Sequence, residues 1–134
     1  MLITSSIKVW PNVHSTMGEL SGGGGSGRVN NVVFEKMRVS NVEWAVMITQ
    51  CYAQKDLSLC KSNPSHLTIS NIVIKDFTGT TSGKHDPLIG SLICGSSSVC
   101  RNITVTDINV RSPSGGRSFE CKNIPTGNLK VSCR

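Results

Sequence analysis

The sequence predicts an all-β solenoid, a right-handed single-stranded parallel β-helix. Three observations predict it: an Asn-led strand motif that recurs along the chain, a β-branched and polar composition poor in aromatics, and no helical periodicity of any length. The motif begins at Asn31 (NVVFEKM), Asn71 (NIVIKDF) and Asn102 (NITVTDI), at offsets of 40 and then 31 residues. Each copy reads Asn, aliphatic, variable, apolar, two polar or charged, apolar. A second strand candidate lies between copies, over residues 45–49 and again over 87–94. Periods of this size denote stacked coils, and the leucine pattern of a horseshoe repeat is missing.

In such a stack the aliphatic positions point inward. The asparagines stand where the chain must turn, because Asn tolerates the left-handed conformation and can bond a neighbour's main chain. Asn31, Asn71 and Asn102 are therefore read as structural. Asp76 and Asp107 occupy matching repeat positions and are read as solvated turn acids.

Composition agrees. Aromatics make up 4% of 134 residues, and the window 42–55 contains one continuous apolar run, Trp44 to Ile48, that reads as a buried strand. The glycine- and serine-rich stretch 21–27 is a surface loop. It is no phosphate-binding loop, since no Gly-Lys-Ser/Thr follows. Residues 121–134, bounded by Cys121 and Cys133, read as a stapled terminal cap, which a solenoid needs to cover its last coil.

The net charge is +6. Its fourteen Lys and Arg residues are dispersed, with no basic helix, zinc-finger or RNA-binding signature, so nucleic acid is not the expected partner. An acidic polysaccharide is the sharper reading, solvated strand faces the plainer one. No apolar stretch is long enough to span a bilayer.

Six cysteines fall in close pairs: Cys51 with Cys60, Cys94 with Cys100, and Cys121 with Cys133. None has metal-ligand spacing, so no metal or cofactor is expected. Fifteen connectivities are open; sequential pairing is expected because each pair would close one local loop. Disulfides imply an oxidising, extracellular setting, and Asn102-Ile103-Thr104 is a glycosylation sequon that agrees. The residues before Ile7 form no signal peptide. A disulfide-rich chain of this kind is expected to be part of a longer secreted protein.

Several short segments carry a family resemblance. Ile7-Lys8-Val9-Trp10-Pro11 is similar to the Arg-Ile-Lys segment of glycoside hydrolase family 28, the polygalacturonases. Residues 26–32 (SGRVNNV) resemble the coil after it, and residues 48–52 (ITQCY) resemble the family's Gln-x-Tyr segment. Residues 77–83 (FTGTTSG) with Asp86-Pro87 resemble the fungal exo-acting branch. The resemblance runs from about Ser6 onward. It implies the C-terminal coils and cap of a pectin-degrading, inverting hydrolase of α-1,4-galacturonosyl bonds. Its full-length form is expected to be a monomer.

Inverting hydrolysis needs a protonated carboxylic acid at the leaving oxygen and a carboxylate that activates water on the opposite face. In the family these come from Asn-Thr-Asp and Asp-Asp segments, supported by Gly-His-Gly, all upstream of Arg-Ile-Lys. None of the three occurs in this sequence, so no catalytic residue is assigned, and the chain alone is expected to be inactive. The resemblance carries over two substrate-binding residues. Lys8 would pair with a galacturonate carboxylate as a point charge, and Tyr52 would stand beside the same subsite.

The family arginine falls at Ser6, which cannot make a bidentate carboxylate contact. Plainer readings stand beside these: a solvated Lys8, a packing Tyr52, Trp10 as turn packing instead of a sugar platform, and Gln50 facing either cleft or turn. His85-Asp86 looks like part of a dyad, but Pro87 follows and no nucleophile accompanies it. His14 and His66 stand alone. A non-catalytic polysaccharide-binding solenoid and a rhamnogalacturonan or xylogalacturonan hydrolase are the alternatives. A solenoid cut within its stack is expected to self-associate through exposed strand edges.

Overall fold

The structure is a computed structural model and describes residues 3–13 and 25–134. His14, Glu19 and residues 21–24 of the expected loop lie outside them. Eight strands form two parallel sheets: β1 (Ile3–Lys8), β2 (Arg28–Val42), β3 (Trp44–Thr49), β4 (Thr68–Thr81), β5 (Leu88–Ile93), β6 (Cys100–Arg111), β7 (Ser118–Lys122) and β8 (Ser132–Cys133). The chain alternates between them from β1 to β7. One sheet has the order β1-β3-β5-β7-β8 and the other β2-β4-β6. Each of the first three coils thus supplies one short strand to the first sheet and one long strand to the second, which makes the fold a parallel β-helix.

The long strands repeat the sequence motif in register. Val32, Ile72 and Ile103 share one column, Phe34, Ile74 and Val105 the next, and Met37, Phe77 and Ile108 the third. All nine belong to or pack on the core. Ile72, Ile74 and Phe77 of the middle strand are fully buried, whereas Val32, Phe34 and Met37 of the end strand β2 are half-buried.

Left-handed residues bend each long strand around the coil. Asn31, Asn71 and Asn102 have φ of 59°, 56° and 51°, and Lys36, Asp76 and Asp107 have φ of 58°, 62° and 55°. Asp76 and Asp107 are exposed. The asparagines sit within the strands and bond side chain to side chain. Asn102 Nδ2 donates to Asn71 Oδ1 at 2.7 Å, and Asn71 Nδ2 donates to Asn30 Oδ1 at 2.8 Å. These bonds form a ladder between coils with Asn30, not Asn31, as its first rung, since each amide offers both a donor and an acceptor.

Disulfides join Cys51 to Cys60, Cys94 to Cys100 and Cys121 to Cys133. The chain end folds over the last coil. β8 pairs with β7, and Leu129 bridges in parallel to Val105, closing the edges of both sheets. One expectation is corrected: the sequence shows no helical periodicity of any length, yet a six-residue helix α1 runs over Leu57–Ser62. Asp56 caps it, accepting from the Ser58 and Leu59 amides at 2.9 and 3.3 Å. Six residues are too few for a period of 3.6 to register.

Candidate functional site

The short-strand sheet presents the chemistry. Alternation along each strand sends Ser5, Val46, Gly90 and Phe119 inward in one row, and Ile7, Ile48, Leu92 and Cys121 in another. The outward rows are therefore Ser6, Met47, Ser91 and Glu120, and beside them Lys8, Thr49, Ile93 and Lys122. Gly90 is needed where it stands: a Cβ there would lie 2.3 Å from the Phe119 ring.

A cleft of about 320 Å³ opens on this face, with Lys8, Tyr52, Trp44, Met47, Glu43 and Glu120 among its walls. The turns after β1 and β3 are tied together: the Val9 amide donates to Thr49 O at 2.8 Å and the Tyr52 amide to Val9 O at 3.1 Å. This brings the Lys8 ammonium over the Tyr52 ring, 5.1 Å from its centroid, within cation–π reach. Trp10 meets Tyr52 edge-on, with centroids 5.1 Å apart at 85°. Trp10 is not among the residues lining this cleft. Lys8 is exposed and Tyr52 half-buried, so the pair offers a fixed positive charge beside an aromatic surface. Ser6 is exposed on the same outward face, two residues before Lys8.

Gln50 does not face the cleft. It is fully buried, donating from Nε2 to Leu67 O at 2.8 Å and accepting the Gly95 amide at Oε1 at 2.6 Å. It satisfies two turn groups on neighbouring coils.

Glu43 was legible only as one acid among eight, yet it organises the far wall. Its Oε1 lies 2.9 Å from His85 Nε2 and 3.1 Å from Lys84 Nζ, and the carboxyl side chain is only 10% exposed. His85 stacks on Trp44 at 3.9 Å, nearly parallel. Burial pushes the Glu43 carboxyl up, but the His85 and Lys84 contacts outweigh it and hold the group below its ordinary value. An acid so stabilised as the anion is a poor proton donor. His85 and Asp86 diverge, so they form no dyad. Asp86 accepts from the hydroxyls of Ser112 and Ser114, which hold its carboxyl below the usual range. Glu120 accepts from Ser91 Oγ at 2.5 Å. No group of three or more potential metal ligands occurs among the described residues. No helix among them is long and apolar enough to cross a membrane.

The profile of glycosyl hydrolases family 28 matches residues 19–133. The chain belongs to this family. Its similarity to family 28 members is high. It is 52% identical over 128 residues to probable exopolygalacturonase X of Neosartorya fischeri, covering 95% of this chain and 30% of that protein. It is 52% identical to an exopolygalacturonase of Cochliobolus carbonum, covering 95% and 29%. Among solved structures, the endo-xylogalacturonan hydrolase of Aspergillus tubingensis superimposes with a TM-score of 0.79 at 32% identity, covering 98% of this chain and 33% of that one. The chain thus spans about 30% of the length of the curated relatives it matches.

Proposed function

We propose that this chain supplies the C-terminal coils of a secreted, exo-acting polygalacturonase. In this reading its cleft holds a galacturonate unit of pectin while carboxylates on other coils break the α-1,4 bond with inversion. The observation that carries the reading is the Lys8–Tyr52 pair: a cation 5.1 Å over a tyrosine ring at the mouth of the cleft, suited to a sugar bearing a carboxylate. The names of the fungal relatives, at 52% identity, support exo action. The solved neighbour at 32% favours xylogalacturonan as the second substrate class.

Among the described residues, the acids on or near the cleft are held in other contacts: Glu43 by His85 and Lys84, Glu120 by Ser91, and Asp86 by Ser112 and Ser114. The isolated chain is therefore inactive in this reading. β1 and β2, the end strands of the two sheets, are the edges on which further coils would stack, and the isolated chain self-associates through them. The three disulfides suit an oxidising compartment. Asn102 is the glycan acceptor in this reading: it is exposed and gives the ladder only one of its two amide protons.

The test is release of galacturonic acid from polygalacturonate. The chain alone should release none. The chain joined to the upstream coils of the Neosartorya fischeri relative should release it, and Lys8→Ala in that fusion should lower kcat/KM about tenfold or more. Activity of the chain alone would overturn the assignment. A fusion that binds pectin but never cuts it would make this a polysaccharide-binding solenoid.

A further inference from the structure

We propose a second uronate subsite, formed by Lys61 and Lys122, that holds another carboxylate of the same polymer chain. The inference rests on the reading of Lys8 given above and extends it along the cleft.

A second hollow, of about 420 Å³, adjoins the first. The two share Cys51 and Ile93 as walls, and the second is completed by Leu57, Lys61, Lys122 and Asn123 among others. The two differ in charge. The first mixes Lys8 with Glu43 and Glu120, whereas the only charged side chains lining the second are the two lysines. Neither lysine has a salt-bridge partner among the described residues, whereas Glu43 pairs with Lys84 and His85. Two cations left unneutralised at one concave site repel each other, and an anion between them relieves that repulsion.

The scaffold holds both lysines in place. Lys61 lies in α1, next to Cys60, whose disulfide fastens the helix to Cys51 at the cleft wall. Lys122 ends β7, next to Cys121, whose disulfide fastens the strand to β8. The Lys122 carbonyl receives the Cys94 amide at 3.0 Å, and Asn123 Nδ2 donates to Cys94 O at 3.2 Å, so the rim is bonded to the coil before it.

Register supplies the spacing. Lys8, Thr49, Ile93 and Lys122 occupy one outward row across β1, β3, β5 and β7. Three strand spacings separate Lys8 from Lys122, roughly 14 Å, more than a single sugar unit can bridge. Between them the row offers Thr49 and the apolar Ile93, so a polymer crossing this face meets cations at both ends and no acid in that row. Glu120 stands in the neighbouring row and is turned to Ser91. The subsite therefore reads chain length and the charge of a distant unit.

Calorimetric titration of this chain at low salt, with galacturonic acid and with tetragalacturonate, tests the proposal. Tetragalacturonate should bind more tightly. Lys61→Gln and Lys122→Gln should each weaken it about three- to tenfold, leaving galacturonic acid binding and the thermal midpoint unchanged. Fully methyl-esterified tetragalacturonate, which loses the carboxylates at both subsites, should bind more weakly than tetragalacturonate binds to either variant. Tetragalacturonate affinity within twofold of wild type in both variants would overturn the subsite while leaving the Lys8 reading intact. Equal affinity for tetraglutamate, with the same loss in the variants, would overturn its assignment to a uronate. Wild-type chain that binds neither sugar would remove the Lys8 reading and this one together.

Discussion

In the long-strand sheet, each coil sets the same kind of residue at the same place: Asn31, Asn71 and Asn102 at the bend, and Phe34, Ile74 and Val105 in the core. In the short-strand sheet the outward row Ser6, Met47, Ser91, Glu120 changes chemistry at every step, and so does Lys8, Thr49, Ile93, Lys122. Both sheets stack the same coils, so the contrast is not one of architecture. One face is fixed by packing that must match between neighbours, and the other is free to vary because its side chains meet solvent or a ligand. Stability should therefore concentrate in the repeated face and binding in the varied one.

The largest expected effect tests the first half of that statement. Phe77→Ala empties a fully buried site in the middle long strand and should cost about 3–5 kcal/mol. Met47→Ala, on the half-buried cleft face, should cost about 1 kcal/mol or less. Urea unfolding followed by circular dichroism measures both, and equal costs would dissolve the contrast. Next comes Gly90→Ala, which drives a methyl group into the Phe119 ring and should cost about 1–3 kcal/mol. A second change, Phe119→Leu, should recover part of that loss if the ring is the obstacle.

The asparagine ladder separates two physical causes. Asn71→Ala removes its amide contacts and puts a methyl-bearing residue at φ 56°, at about 1–2 kcal/mol for the backbone alone. Asn71→Gly loses the same contacts but accepts the backbone. The glycine variant should be the more stable by about 1 kcal/mol. Two equally unstable variants would mean that the hydrogen bonds carry the whole effect.

The same contrast explains what could be read from the sequence. The Asn-led motif repeats because stacked coils must match, so the solenoid and its inward columns are legible in the sequence. Lys8 and Tyr52 were reached through a family resemblance in short segments, and the structure brings them together through the Val9 and Tyr52 amide bonds. The far wall was not legible. Glu43 meets His85 across 42 residues, and Ser91 meets Glu120 across 29, pairs set by coil length, which varies along the chain. Gln50 was ambiguous for a related reason. Its neighbours in sequence lie near the cleft, but its partners, Leu67 and Gly95, come from other turns. Nor did the lysine pair stand out, since nothing in a dispersed set of fourteen cations marks Lys61 and Lys122 as neighbours.

The smallest expected effect concerns Glu43, where the varied face contributes to stability. Its carboxyl is held below the ordinary value in the fold, because the His85 and Lys84 contacts outweigh burial. A group whose pKa is lowered on folding adds stability above its unfolded value, about 4.3, and that stability is lost as pH falls through the folded value. Glu43→Gln removes the titration and keeps the shape. At neutral pH the variant should be the less stable of the two, and acidification below about pH 4.3 should bring the two curves together. Parallel curves across that range, from thermal melts at a series of pH values, would mean that the Glu43 contacts do not favour the anion. The wall they form with Trp44 would then be held by ring stacking and not by charge.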